Sequence, residues 1–227
     1  MEAKQLKNGP SYEEFQPFTV ITNNCWGSAA YSLLNQPYRT PFVGLFLMPD
    51  CYLKLLSDWR RVVTAPLKFA DKSRYASKAK GNEAQYQGYP IGLLDDEIEL
   101  HFLHYKSEMD AQDKWTRRVD RIVDNDVRVF VKFCDHDVPT REQLRQFDEL
   151  PLANKVCFYS DSSLHLKCGL HLPGYETDRR VPDGWQLFSI CQGRFDVMRW
   201  FSGGLGKRTY TERVLRKLLR FGGLIGA

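Results

Sequence analysis

The chain has 227 residues, 43% of them hydrophobic and 26% charged, with a formal net charge of +4. That length fills one large domain or two small ones, and the composition is that of a soluble globular protein. The charge is too mild to argue for a nucleic-acid partner, and no stretch approaches the ~20 apolar residues that a membrane-spanning helix needs.

Residues 1–16 read as a polar leader, 17–206 as a single α/β domain, and 207–227 as a basic amphipathic helix with a tail. Thr19–Ile21 is a strand candidate that runs into Asn23-Asn24-Cys25 and a helix over Trp26–Leu34. Thr40–Leu47 reads as a second buried strand, and Asp50 as the cap of a helix over Tyr52–Trp59, with Leu53, Leu56 and Trp59 at helical spacing. Lys68–Tyr89 is polar and reads as a variable loop or hairpin. In Glu97–Tyr105 the alternation of Ile98, Leu100 and Phe102 predicts a strand with one buried face.

Ser107-Glu108-Met109-Asp110 is a capping-box variant opening a helix to about Val123. Val127–Phe133 is an apolar strand interrupted by Arg128 and Lys132. Pro139-Thr140 opens a helix to Leu150, and Lys155–Tyr159 is the next strand. After Gly174 the pattern weakens; Gly184–Gly193 reads as one more strand and turn, and Thr209–Arg220 as a basic amphipathic helix before a tail, Gly222–Ala227, expected to fray. Strands alternating with helices predict a three-layer α/β sandwich with a mainly parallel, Rossmann-like sheet. Its strand-end loops would gather Asn23 to Cys25, His104 and Lys106, Cys134 to His136, and Ser160 with Asp161 at one edge.

The turn Asn23-Asn24-Cys25 is the first candidate site, because ligands in open α/β sheets bind at the carboxyl ends of strands. Cys25 at a helix start reads as a nucleophile of lowered pKa or as a small residue packed under the turn. Asn23 and Asn24 read as donors to a substrate oxygen, with Gly27 part of the same helix start. His104 is the candidate general base, and Lys106 with the first-turn amides at Ser107 a candidate anion anchor. Arg117, Arg118 and Arg121 suit a nucleotide diphosphate or coenzyme A phosphates, against the plainer reading of a solvated helix face.

The six cysteines, Cys25, Cys51, Cys134, Cys157, Cys168 and Cys191, contain no CxxC pair. No secretory segment opens the chain, so they read as reduced thiols of a cytoplasmic protein. Cys134-Asp135-His136-Asp137 and His165 to His171 lack the spacing of a closed site, so no metal is expected; Asp135 reads better as the orienter of a histidine.

Four stretches carry a family resemblance: Ile21-Thr22-Asn23-Asn24-Cys25-Trp26-Gly27; Tyr38-Arg39-Thr40-Pro41-Phe42-Val43-Gly44-Leu45-Phe46; His101-Phe102-Leu103-His104-Tyr105-Lys106-Ser107 leading to Lys114-Trp115-Thr116-Arg117-Arg118; and Phe147-Asp148-Glu149-Leu150-Pro151 with Lys155. On them the chain resembles the bacterial exopolysaccharide-biosynthesis proteins catalogued as a domain of unknown function. It departs from the pattern in Thr40, where a Ser precedes the Pro, and in Ser28, where a second Gly follows Gly27.

The resemblance implies a setting in capsule or surface-polysaccharide synthesis. The Asn-Cys turn is also similar, at the level of fold, to capsule enzymes proposed to be coenzyme A-dependent acetyltransferases. The expectation is a transferase that modifies a saccharide or lipid-linked saccharide precursor by acyl transfer from acetyl-CoA, with the basic terminal helix in peripheral contact with an anionic membrane. A sugar-nucleotide-dependent glycosyltransferase and a non-catalytic assembly factor stand as alternatives.

Overall fold

The computed structural model describes residues 16–75 and 88–221. In chain order the first half runs β1 (Thr19–Thr22), α1 (Trp26–Leu33), α2 (Pro49–Ser57), α3 (Trp59–Val63), β2 (Lys68–Ala70), β3 (Ile91–Leu94), β4 (Ile98–His101) and α4 (Glu108–Val119). The second half runs β5 (Val129–Cys134), α5 (Arg141–Glu149), β6 (Asn154–Tyr159), β7 (Gly169–His171), α6 (Gly184–Cys191), α7 (Val197–Phe201) and α8 (Tyr210–Phe221).

Strands β1, β5, β6 and β7 form one sheet in that order, all neighbours parallel. Thr22 lies opposite Lys132 in the register of β1 and β5, so both carboxyl ends reach the same edge. Every residue of β1 and β5 is buried, as expected of a parallel sheet covered on both faces.

Phe18, Val20, Phe130 and Phe158 point to one face, where Trp26, Ala30, Leu187, Phe188 and Trp200 bring α1, α6 and α7. Ile21, Val131, Phe133 and Cys157 point to the other, against Leu55, Trp59, Trp115 and Phe147 of α2 to α5. The fold is therefore a three-layer α/β sandwich with a parallel central sheet. Among the described residues no helix is long and apolar enough to cross a membrane.

The expected strand at Thr40–Leu47 is instead an irregular segment. Phe42, Leu45 and Leu47 are buried, but Phe46 makes only an isolated bridge to His101, and Leu47 N–H donates to the Asn23 carbonyl at 2.9 Å. The segment covers the outer edge of β1, where the Thr19 hydroxyl donates to the Arg39 carbonyl at 2.9 Å. Pro41 lacks an N–H and Gly44 turns the backbone at φ +72°, so the run is apolar yet cannot form a ladder.

The central strand is shorter than expected and lies outside the parallel sheet. β4 pairs antiparallel with β3, Leu94 opposite Ile98, through a turn whose Asp95 and Asp96 have φ of 52° and 58°. Two positive φ angles mark a tight hairpin connection, tolerated by aspartate. β2 adds to β3 to complete a three-stranded antiparallel sheet.

Gly184–Gly193 is also corrected: Gly184–Cys191 is helix α6, with Leu187, Phe188 and Cys191 on its buried side at helical spacing. Helix α2 starts earlier than expected, with Pro49 in its first turn, so Asp50 lies inside the helix rather than capping it. Of the leader only residue 16 is described; the tail Gly222–Ala227 and residues 76–87 lie outside the described residues.

Candidate active site

The turn after β1 is built by its own side chains. The Thr22 hydroxyl donates to the Asn24 carbonyl at 2.6 Å, and the Asn24 side-chain oxygen accepts from Trp26 N–H at 3.3 Å. Asn24 thus satisfies the start of α1, while Cys25 makes no side-chain cap bond there. A Cβ on Gly27 would lie 3.1 Å from the Thr22 Oγ1. Its missing side chain lets helix and strand approach closely; it is not an opening toward a ligand.

Across the edge, β5 supplies Lys132. Its side chain is fully buried, and its Nζ donates to Asn24 Oδ1 at 3.0 Å, Asn23 Oδ1 at 3.4 Å and Cys134 Sγ at 2.9 Å. A buried ammonium needs neighbours of this kind, since an isolated charge is expensive to desolvate. Asn23 then donates through Nδ2 to Asp137 Oδ2 at 2.7 Å. Burial pushes the Asp137 carboxyl up to about 6, with Asp183 adding to the shift, while His136, Lys132 and Arg180 oppose it. Asp137 therefore changes charge close to neutral pH.

His136, beside it, donates through Nδ1 to the Val181 carbonyl at 2.9 Å. That bond fixes the tautomer and leaves Nε2 as the nitrogen able to take a proton. Val181 is itself held, because its N–H donates to Asp135 at 2.7 Å. Asp135 also accepts from the Ser160 N–H and hydroxyl, each at 2.7 Å. Asp135 orients a histidine only indirectly, by pinning the carbonyl that holds it. A cavity of about 530 Å³ adjoins, walled by His136, Tyr175, Arg180, Asp183 and Gln186.

Cys25 is half-buried at the same edge, with the Gly184 backbone against it; a Cβ there would lie 3.3 Å from Cys25 Cβ. Burial and then Asp183 push its thiol up to about 11, against the opposing effect of Lys132. The direction is the reverse of the lowered pKa expected at a helix start, because the thiol is desolvated beside carboxylates.

His104 and Lys106 are exposed, and Gly44 packs against the His104 side chain. Ser107 caps α4, its Oγ accepting from Asp110 N–H at 3.1 Å, while Lys106 N–H donates to the Asp110 carboxylate at 3.3 Å. Glu108 and Asp110 already bring negative charge to that first turn, so the helix end serves its own acids. Arg118 donates to the Tyr105 hydroxyl at 2.6 Å and lies over Tyr38, while Arg117 and Arg121 are exposed.

The structure thus gathers Asn23, Asn24 and Cys25 with Lys132, His136, Asp137 and Asp183. Sequence reasoning took Lys132 as an interruption of an apolar strand and missed Asp183. The signal for Lys132 was there: a lysine in a strand buried on both faces must find partners. Among the described residues, no group of three His, Cys, Asp or Glu side chains is arranged to hold a metal ion.

The family model described as Domain of unknown function (DUF1919) matches residues 4–202, a span that takes in every residue of this site and stops short of α8. An uncharacterized protein of Haemophilus influenzae is 34% identical over 193 residues, covering 82% of this chain and 85% of that protein. The chain belongs to the DUF1919 family.

Proposed function

We propose that the protein is a transferase acting at the shared edge of β1 and β5, and that its reaction is acyl transfer to a hydroxyl of a surface-polysaccharide precursor. The observation that carries this reading is His136 on the wall of an open cavity, with the Asp137 carboxyl next to it behind that wall. His136 has one nitrogen locked on the Val181 carbonyl, and a carboxyl that ionises near neutral pH stands beside it. Such a pair suits general-base catalysis, because a neutral imidazole can accept a proton and the adjacent carboxylate stabilises the imidazolium that forms.

In the proposed step the acceptor hydroxyl loses its proton to His136 Nε2 as its oxygen bonds to the acyl carbonyl carbon. The carbon–sulfur bond of a thioester donor such as acetyl-CoA then breaks, and the departing sulfur takes the proton back from His136. Cys25 lines the site as a neutral thiol, so no acyl-cysteine is invoked. Lys132 and Asn23 hold Asp137 in place, and Asp135 positions His136 through Val181. The saccharide assignment rests on the resemblance in the four sequence stretches.

The reading is tested by thiol release from acetyl-CoA in the presence of nucleotide-linked and lipid-linked saccharides. Release that requires a saccharide and is lost in His136→Gln supports it. No release with any saccharide, together with no thermal stabilisation by acetyl-CoA, would overturn it.

A further inference from the structure

A second cavity, of about 590 Å³, lies between the β7–α6 connection, the end of α6 and helix α8. Its walls include Tyr175, Arg194, Tyr210, Arg213, Arg216 and Lys217, and no aspartate or glutamate among the described residues. The one acid of α8, Glu212, is taken by Arg199 at 2.6 Å. Arg208 donates to the carbonyl of Gln192, the residue that closes α6, at 3.1 Å, and pairs with Asp196 at 2.9 Å.

Arg194 is left facing the cavity, half-buried, with no hydrogen bond or ion pair from its guanidinium among the described residues. Burial and the nearby Arg213 both disfavour its charge. Among the described residues, Arg213 itself has only a bond to the Thr209 carbonyl at 3.4 Å and the Tyr210 ring beneath it. Cations drawn together in a concave site whose described walls carry no carboxylate are complementary to a multiply charged anion. The volume falls within the roughly 300–1,000 Å³ of small-molecule sites.

Tyr175 is a wall of this cavity and also of the cavity beside His136. We propose that the α8 cleft is a diphosphate subsite: it seats the phosphate groups of the transferase's substrate while the reacting end passes Tyr175 toward His136. The proposal rests on the transferase reading of the β1–β5 edge and adds the chemical class that the substrate must carry. That diphosphate belongs either to a free, nucleotide-type molecule or to a lipid headgroup.

Inorganic pyrophosphate is the probe, titrated calorimetrically into the full chain at low ionic strength. Wild type is expected to bind. Arg194→Gln/Arg213→Gln should weaken binding by at least about tenfold, while Arg117→Gln/Arg121→Gln on α4 leaves it unchanged. No binding by wild type, or equal losses in the two double variants, overturns the proposal. In the wild-type chain, pyrophosphate should also protect Arg194 and Arg213 from phenylglyoxal; unaltered modification overturns it even if the cleft variant fails to fold.

Vesicles carrying a polyprenyl diphosphate, with plain phosphatidylglycerol vesicles as the single-phosphate control that should not bind, distinguish the sources. Vesicle binding that pyrophosphate displaces and the cleft variant loses identifies a lipid-borne diphosphate, whereas pyrophosphate binding without it identifies a free one. Both support the subsite. Since the titration needs no turnover, His136→Gln should bind pyrophosphate normally. A catalytically inert protein that still binds would refute the transferase reading and leave the subsite standing.

Discussion

Asp137→Asn should make the protein more stable and, in the proposed transferase, less active. Burial raises the carboxyl from 3.8 to about 6 in the folded chain. An acid with a raised folded-state pKa binds more protons folded than unfolded, so stability is fully present below the unfolded value and is lost as pH rises through the folded one. The shift corresponds to a cost on the order of 3 kcal/mol at pH 7, at ~1.36 kcal/mol per pH unit. Asparagine is isosteric, and its side-chain oxygen can still accept from Asn23 Nδ2, yet it never ionises.

The variant should therefore gain on the order of 3 kcal/mol at pH 7, which for a domain of this size is roughly 6–12 °C in Tm. Urea unfolding of both proteins from pH 3.5 to 7.5 measures it. The curves should coincide near pH 3.5 and separate through pH 4–6. Parallel curves, or a variant less stable at pH 7, would show that Asp137 is stabilised as a carboxylate and that the account of its environment is wrong.

Other outcomes follow from the same geometry. Cys25, with its thiol raised from 9.0 to about 11, should react with iodoacetamide at neutral pH at least ~100-fold more slowly than a peptide cysteine; an equal rate would restore the activated thiol. Gly27→Ala would place a Cβ 3.1 Å from a Thr22 hydroxyl already committed to Asn24, and should cost about 1–3 kcal/mol in chemical denaturation; no loss would mean that α1 moves freely off β1. Asp135→Ala removes the acceptor of three bonds to Ser160 and Val181 and should cost roughly 3 kcal/mol or more while lowering kcat; unchanged kcat would show that Val181 does not need that anchor to hold His136. Leu215 and Leu218 are 56% and 63% exposed, beside a basic face, so Leu215→Ser/Leu218→Ser should reduce co-sedimentation with anionic liposomes; unchanged sedimentation would remove the apolar stripe from any membrane contact.

The parallel sheet was legible because β1, β5 and β6 are short, largely apolar runs, with a side-chain-capped helix before β5 and another before β6. Thr140 with Gln143 forms a full capping box at the start of α5. The segment around Phe42 and Leu47 was misread because an apolar run wedged between two sheets has no period of its own. The hairpin β3–β4 was missed because its turn uses Asp95 and Asp96 without a glycine. α6 was misread because an eight-residue helix gives barely two turns of pattern.

At the site, the Asn23-Asn24-Cys25 turn could be found from the strand-to-helix transition alone. Its partners could not. Lys132 and Asp137 lie more than a hundred residues away in sequence, and only the parallel pairing of β1 with β5 brings them together. His104 follows a strand in the sequence, but β4 belongs to the antiparallel sheet, so strand-end reasoning did not apply to it. His136 follows β5, the strand that does lie next to β1.

The choice between those two histidines tests the account most directly. The acyl-transfer rates of His136→Gln and His104→Gln should be compared with wild type under saturating acetyl-CoA and saccharide. Loss of a general base costs about 10²–10⁴ in rate, so His136→Gln should fall by that factor and His104→Gln should stay near wild type. A His136→Gln enzyme as fast as wild type, with His104→Gln inactive, would make His104 the general base and contradict the account.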